Sequence, residues 1–187
     1  MRKIILIVHT SMDGYAAGMH GEFDAFDPSP ENLDFVCSLT DDADAALTGR
    51  VSYQMLNTYW PTARDNPNAT QSEIKYSNWY NDAEKIVLSK SLHNLDVENT
   101  TIISDQIAET LQEFKAMNGK NILMFGSPTT FESLDKLDLI DEYWVILYPV
   151  FFGKGIPFFT RVGDMKRFTF IESRPFSKGE LAIHYKV

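Results

Sequence analysis

The sequence predicts a three-layer α/β/α fold, in which helices cover both faces of a mixed β-sheet. Short apolar runs rich in Val and Ile alternate with amphipathic segments along most of the chain, which is typical of crossovers in a largely parallel sheet. Near the end of the chain the helical segments stop, and two strand-like segments follow one another across a short turn. The sheet is therefore predicted to be mostly parallel with an antiparallel C-terminal pair.

The apolar runs have the length and composition of buried strands. They span residues 4–8, 45–48, 85–88, 101–103, 122–125 and 143–150. The clearest helix is predicted over Gln106 to Met117, where Ile107, Leu111 and Phe114 recur at helical spacing on one face. A second helix is predicted over Glu73 to Tyr80.

The antiparallel pair is predicted over Arg167 to Glu172 and Glu180 to Lys186, because the residues between them are rich in turn formers. Tyr59 to Thr70 contains several Pro and Asn residues and is predicted to be a long surface excursion. Cys37 is interpreted as a small core residue of a helix rather than as a nucleophile.

Composition limits the classes of function. A chain of 187 residues with 44% hydrophobic residues can bury one sizeable core, so residues 1–187 are expected to form a single domain. The formal charge of −9 repels nucleic-acid phosphates and anionic membranes, so neither is an expected partner. The apolar run at residues 4–8 is too short to span a bilayer, and a cytoplasmic location is expected. The four His and single Cys share no metal-ligand spacing, so no metal site is predicted.

Two strand ends carry residues that suit a phosphate, and ligands of open α/β sheets bind beyond the carboxyl ends of parallel strands. Gly49 to Ser52 combines a glycine, which permits close backbone approach, with the charge of Arg50 and a helix expected to start at Ser52. Ser89 to Ser91 offers two hydroxyls and the ammonium of Lys90.

A third strand end, Gly126 to Thr130, predicts a helix N-terminus with Ser127 as N-cap and Pro128 in the first helical position. Such a terminus attracts a pyrophosphate. Each motif alone is also ordinary turn or cap chemistry. Their occurrence at successive strand ends favours several phosphates of one dinucleotide over independent ligands.

The first predicted strand is followed by Asp13 and Gly14. Gly14 would let the chain turn over a flat ring, and Asp13 could orient a substrate or a water. A plain Asp-Gly turn is at least as compatible with this local sequence.

The motifs together resemble a known family. The residues that carry the resemblance are Ser11 to Tyr15, Leu47 to Tyr53, Lys85 to Lys90, the strand into Gly126, Leu139 to Tyr143 and, most specifically, Tyr148 to Phe159. Their order and spacing resemble the reductase domain that forms the C-terminal half of the bifunctional deaminase-reductases of riboflavin synthesis, which is related in fold to dihydrofolate reductase. The resemblance covers nearly the whole chain and implies a dihydrofolate-reductase-like sheet.

The resemblance implies an NADPH site, a small-molecule substrate and a homodimer. Asp13 and Gly14 would lie near the nicotinamide and substrate, and Glu31 or Asp34 on the first helix could occupy the place of the dihydrofolate reductase carboxylate. The candidate catalytic residues are Asp13, Glu31 and Asp34. The candidate cofactor-binding residues are Gly14, Gly49, Arg50, Val51, Ser52, Ser89, Lys90, Gly126, Ser127, Pro128, Thr129 and Thr130. The dimer is expected to form around Phe151, Phe152, Phe158 and Phe159.

The chain departs from the family pattern in two respects. Many members have a Gly-Gly pair where this chain has Gly126 and Ser127, and Ser127 could add a hydroxyl contact instead. The zinc motif of the deaminase half is missing, so a stand-alone reductase domain is expected. The leading hypothesis is hydride transfer from NADPH to a small heterocyclic or sugar-derived substrate, with a riboflavin precursor favoured by the resemblance. The alternative is a non-catalytic dinucleotide-binding module.

Overall fold

An eight-stranded mixed sheet forms the middle layer of the computed structural model, which describes residues 1–92, 97–160 and 165–187. The strands are β1 (Ile4–Ser11), β2 (Tyr15–Ala17), β3 (Ala43–Gly49), β4 (Glu84–Leu88), β5 (Thr100–Ile103), β6 (Asn121–Phe125), β7 (Glu142–Tyr148), β8 (Ile156–Pro157), β9 (Thr169–Pro175) and β10 (Leu181–Lys186). In the large sheet their order is β5-β4-β3-β6-β1-β7-β10-β9. The strands from β5 to β7 are parallel, and β10 runs antiparallel to both β7 and β9. The predicted sheet, including its antiparallel C-terminal pair, is confirmed.

Helices cover both faces of this sheet. They are α1 (Pro30–Thr40), α2 (Arg50–Ala63), α3 (Gln71–Asp82), α4 (Ile107–Ala116) and α5 (Pro128–Lys136). Leu111 of α4 and Leu134 of α5 are fully buried in the apolar cluster on one face, whereas Phe35 of α1 and Tyr76 of α3 belong to the cluster on the other. Burial on both faces explains why the central strands are continuous apolar runs. The three predicted layers are confirmed.

The predicted surface excursion at Tyr59 to Thr70 is wrong in its first part, because α2 continues to Ala63 with Pro61 inside it. Tertiary contacts hold this last turn. The Ser77 hydroxyl donates to the Trp60 carbonyl at 2.6 Å, and the Asn81 amide donates to the Pro61 carbonyl at 3.0 Å. Packing of α2 on α3 therefore overrides the local preference of proline to end a helix.

Two smaller elements differ from or complete the sequence predictions. The short strands β2 and β8 pair antiparallel in a separate two-stranded sheet and were not predicted. Cys37 is buried in α1, and burial, the largest influence, raises the pKa of its thiol to about 11. The interpretation of Cys37 as a core residue is confirmed. Phe158 is fully buried against Phe131, so it belongs to the core rather than to an exposed patch.

Candidate functional site

The strand-end motifs lie along one edge of the sheet because β4, β3, β6, β1 and β7 are neighbouring parallel strands. Their carboxyl ends therefore point the same way. Ser89 and Lys90 follow β4, Gly49 ends β3, and Gly126 follows β6. Gly49 and Gly126, which are 77 positions apart in the sequence, are thus brought into one row with Ser89 and Lys90.

The ends of β3 and β6 form the most closely packed part of this row. A Cβ atom placed on Gly49 would lie 2.4 Å from the Thr130 hydroxyl and 2.9 Å from the Ser127 hydroxyl. A Cβ atom on Gly126 would lie 3.9 Å from the Ser52 hydroxyl. Only a glycine at position 49 allows the first turn of α5 to lie against β3. We call residues 49–52 and 126–130 the two-helix cradle.

The cradle contains two helix N-termini without side-chain caps. Gly49 is the N-cap of α2 and Ser127 is the N-cap of α5, and neither helix has a side-chain capping hydrogen bond. In α5 the first intrahelical bond runs from the Phe131 N–H to the Ser127 carbonyl at 2.9 Å, and Pro128 has no N–H. The amides of Thr129 and Thr130 are therefore available, and both helix dipoles place partial positive charge in the cradle. This arrangement suits an anion with more than one negative group.

Local geometry refines the predictions for these residues. Pro128 occupies the first helical position and Ser127 the N-cap, as predicted, although the Ser127 hydroxyl accepts from Thr130 at 3.1 Å instead of capping the backbone. Gly126 and Ser127 both have positive φ, 52° and 57°. The prediction that α2 starts at Ser52 is wrong by two residues, since it starts at Arg50. Val51 is 66% exposed, so the open side of the cradle faces solvent.

Charged groups lie on either side of the cradle. Arg50 is exposed, and its guanidinium donates to Gln54 one turn along α2 at 3.0 Å. At the end of β4, the Ser89 hydroxyl accepts hydrogen bonds from the backbone amides of Ser91 and Leu92, which shapes the turn. Lys90 in this turn is exposed. An ammonium is thus available at the strand next to the cradle.

Asp13 anchors a neighbouring loop. Its carboxylate accepts hydrogen bonds from the backbone amides of Phe152 at 3.1 Å and Gly153 at 2.7 Å, and from the Ser11 hydroxyl at 2.5 Å. Desolvation opposes ionisation, but these hydrogen bonds outweigh it and hold the pKa of Asp13 below its usual value. Gly14, with φ of 83°, closes a turn onto the Ser11 carbonyl at 3.0 Å. The local arrangement is an Asp-Gly turn, which was the alternative interpretation of this part of the sequence.

Glu31 and Asp34 are both exposed on α1 and make contacts outside the row of strand ends. Glu31 accepts from the Ser177 hydroxyl at 2.8 Å in the β9–β10 connection. Asp34 accepts from the Ser72 hydroxyl on α3. Proton delivery by either carboxylate stays a prediction. The residue of α1 that points inward between them is Asn32, which is 4% exposed.

Sequence reasoning missed a group of polar side chains that we call the polar cluster, formed by the buried Asn32 and Tyr148 and the half-buried His9. The Asn32 amide donates to the Tyr148 hydroxyl at 3.0 Å, and that hydroxyl lies 2.9 Å from Nδ1 of His9. Burial, opposed by the charge of Glu180, lowers the pKa of His9 to about 4. Burial also raises the pKa of Tyr148. At neutral pH the cluster is therefore uncharged.

The cluster forms where β1, β7 and α1 meet. His9 lies on the same face of β1 as Ile5 and Ile7, and Tyr148 on the same face of β7 as Trp144. That face is covered by α1. No local sequence pattern could have revealed the cluster, because its three members come from elements far apart in the chain.

Two cavities adjoin this side of the site. The larger, of about 450 Å³, is lined by Gly18, Met19, His20, Glu22, Ala25, Phe151, Phe152 and Lys154. The smaller, of about 150 Å³, is lined by Ala25, Asp27, Tyr148, Pro149, Val150 and Lys178. Neither lining includes Glu31 or Asp34. An open cleft therefore lies beside the loop that Asp13 anchors, without either of the carboxylates predicted for it.

Within residues 1–92, 97–160 and 165–187, no three or more His, Cys, Asp or Glu side chains lie together as a group that could hold a metal ion. Over the same ranges, every helix is too short or too polar to cross a membrane.

Comparison with known proteins identifies the fold and the family. The dihydrofolate reductase of Enterococcus faecalis, solved in complex with NADP(H), superposes with a TM-score of 0.66 at 15% identity, over 98% of this chain and 95% of that one. The protein thus has the fold of dihydrofolate reductase. The chain belongs to the RibD C-terminal domain family, whose model matches residues 2–181.

Two more proteins illustrate the likeness. The YyaP protein of Bacillus subtilis is 30% identical over 188 residues, which cover 98% of this chain and 94% of YyaP. A diaminohydroxyphosphoribosylaminopyrimidine deaminase/5-amino-6-(5-phosphoribosylamino)uracil reductase from Thermotoga maritima superposes with a TM-score of 0.69 at 16% identity. The match covers 99% of this chain and 56% of the Thermotoga chain. The latter likeness shows a shared fold.

Proposed function

We propose that the protein is an NADPH-dependent reductase that transfers hydride to a small heterocyclic or sugar-derived substrate, such as a riboflavin precursor of the 5-amino-6-(5-phosphoribosylamino)uracil type. The observation that carries the proposal is the two-helix cradle, in which two uncapped helix N-termini meet at adjacent strand ends. Membership of the RibD C-terminal domain family supports a reductase, and the NADP(H) complex of the Enterococcus protein supports a nicotinamide cofactor.

The residues present fit a dinucleotide. The free amides of Thr129 and Thr130 and the N-terminus of α2 would hold the pyrophosphate, because each offers N–H donors and a favourable helix dipole. Lys90 and Ser89, at the end of β4, would bind the additional phosphate that distinguishes NADPH from NADH. Gly126 keeps this approach free of side-chain bulk.

When bound, the nicotinamide would supply the hydride, and the protein would orient it. The end of β6 lies next to the middle of β1, with the Gly126 amide 3.3 Å from the Ile7 carbonyl, and β1 continues beyond it to Ser11. A dinucleotide held in the cradle would therefore extend toward the polar cluster and the Asp13 turn. There the protein would position a substrate between β1, β7 and α1, and close packing would exclude water. Association of two copies through the exposed Phe151 and Phe159 is part of the same proposal.

Reversing the charge of Lys90 tests the cofactor assignment. Lys90→Glu replaces attraction to the additional phosphate by repulsion, so we expect NADPH affinity to fall about tenfold or more while NADH affinity changes less than about threefold. Binding is measured by calorimetric titration. Lys186→Glu is the matched control. Lys186 is also exposed, but it lies at the end of β10, where it pairs with Glu142 at the amino end of β7. Equal losses for both cofactors in Lys90→Glu would refute the assigned role.

A further inference from the structure

The larger cavity beside the site, of about 450 Å³, has a preformed aromatic wall. Its lining residue Phe152 packs against two rings that do not line the cavity, with centroid distances of 6.5 Å to Tyr15 and 5.0 Å to Phe26. The Phe152 amide also donates to the Asp13 carboxylate at 3.1 Å. Both the side chain and the backbone of Phe152 are therefore held in place before any ligand binds. The volume of the cavity lies in the range of small-molecule pockets.

A tight turn at residues 18–22 contributes a second part of the lining. The Gly18 amide donates to the Glu22 carbonyl at 2.9 Å, and the His20 amide donates to the Glu22 carboxylate at 2.7 Å. A Cβ atom on Gly18 would overlap that carboxyl group, so the turn requires glycine there. Met19 in this turn is 56% exposed. Its side chain is apolar surface that a ligand in the cavity would remove from water.

The lining also carries a lysine without a protein partner. Most lysines of the chain donate to a carboxylate or a carbonyl oxygen. Lys154 is exposed and makes no hydrogen bond or ion pair within the part of the chain that the structure describes. Its backbone is held through the preceding residue, because the Gly153 amide donates to Asp13 at 2.7 Å. A positive charge is thus kept at the cavity, in a chain whose net charge is −9.

A carboxylate in the lining limits the charge that a ligand can carry. Hydrogen bonds from its own backbone amide and from the His20 amide hold the pKa of Glu22 below its usual value, so Glu22 is ionised at neutral pH. At pH 8, where an exposed imidazole is neutral, Lys154 is the positive side chain of the lining. One negative charge on a ligand would pair with Lys154, whereas a second would meet Glu22 without a cation to balance it.

We propose that this cavity is a second ligand site, which shares no residue with the two-helix cradle and binds a planar aromatic ring carrying one carboxylate. The ring stacks on Phe152 and covers Met19, and the carboxylate pairs with the Lys154 ammonium. Glu22 disfavours ligands with two negative charges. The site goes beyond the proposed reductase function and does not rest on it. Phe151 also lines the cavity, so the ligand lies next to the surface proposed for association of two copies.

Calorimetric titration of the intact protein at pH 8 with sodium 2-naphthoate tests the site. We expect saturable binding at one site per chain, and binding of the neutral 2-naphthamide at least about tenfold weaker. The 2-naphthyl phosphate dianion should bind no more tightly than 2-naphthoate. Naphthoate should also slow hydrogen exchange of the Phe152 and Gly153 amides but not of the Thr129 and Thr130 amides in the cradle. No saturable binding up to about 5 mM naphthoate, equal binding of the amide, or slower exchange in the cradle alone would each overturn the proposal.

A pair of lysine variants locates the ligand. Lys154→Met keeps an unbranched apolar chain without the charge, so naphthoate affinity should fall about tenfold while naphthamide affinity stays unchanged. Lys178→Met is the control and should change neither affinity, because Lys178 lines the smaller cavity and pairs with Asp27. Glu22→Gln retains an oxygen for the His20 amide and should raise the affinity for 2-naphthyl phosphate several-fold. Unchanged naphthoate binding in folded Lys154→Met, or a loss confined to Lys178→Met, which would place the ligand in the smaller cavity, would contradict the proposal.

Discussion

The two-helix cradle and the polar cluster lie at the same edge of the sheet but use different chemistry. In the cradle, glycines and small hydroxyl residues lie where two helix N-termini without side-chain caps meet at neighbouring strand ends. In the polar cluster, three side chains from β1, α1 and β7 are joined by hydrogen bonds to the Tyr148 hydroxyl. Backbone groups suit phosphates, which are similar in every cofactor of a class. Side chains can differ between relatives and so can set the substrate.

This difference predicts that the cradle is sensitive to added volume. Gly49→Ala would place a methyl group 2.4 Å from the Thr130 hydroxyl, so α5 must shift away from β3. We expect a loss of about 1–3 kcal/mol in the free energy of unfolding and at least a tenfold loss of NADPH affinity, measured by urea unfolding and calorimetry. The double variant Gly49→Ala/Thr130→Ala should recover part of both losses. An unchanged NADPH affinity in Gly49→Ala would separate the cradle from the cofactor site.

The polar cluster should instead be sensitive to pH. The pKa of His9, about 4, lies below the ordinary value of 6.5, so the unfolded chain takes up this proton more readily than the folded protein. Its contribution to stability is complete above pH 6.5 and is lost as the pH falls toward 4, by up to about 3 kcal/mol. Urea unfolding between pH 4.5 and 7 should show that the free energy of unfolding falls as the pH falls. In His9→Gln this dependence on pH should be weaker. The exposed His20 provides a control, His20→Gln, and equal slopes in all three proteins would contradict the assignment.

The Asp13 turn, which follows β1, should give the smallest effect. Asp13→Asn keeps one side-chain acceptor where the carboxylate now serves the amides of both Phe152 and Gly153. We expect about tenfold faster hydrogen exchange at one or both amides and nearly unchanged NADPH affinity. This result would show that Asp13 anchors the loop at Phe152 and Gly153. Loss of reductase turnover with unchanged exchange would show instead that Asp13 takes part in the reaction.

The sequence predicted the cradle far better than the cluster, for a physical reason. Residues 126–130 are contiguous, and a glycine, an N-cap position and a proline in order specify a helix start by local chemistry. The packing of that helix start against Gly49 follows from strand adjacency, which the parallel arrangement implies. The start of α2 was misplaced by two residues because Gly49, rather than a polar side chain, is its N-cap.

The cluster depends on which side of α1 faces the sheet. Glu31 and Asp34 were predicted as candidate catalytic residues because they are carboxylates on the first helix. Both are exposed, and the buried Asn32 is one residue from Glu31. The contact between Asn32 and Tyr148 spans 116 positions of sequence. Tertiary packing of this kind leaves no local pattern, just as the contacts of α2 with α3 gave no local sign that the helix would continue through Pro61.

The most direct test of the central claim is a calorimetric titration of the purified protein with NADPH and, separately, with NADH. A cradle with two helix N-termini and Lys90 beside it predicts saturable binding of NADPH at one site per chain, at least about tenfold tighter than NADH. Absence of binding by either cofactor would contradict both the assignment of the cradle and the proposed reductase function, whereas the family and the fold would still hold.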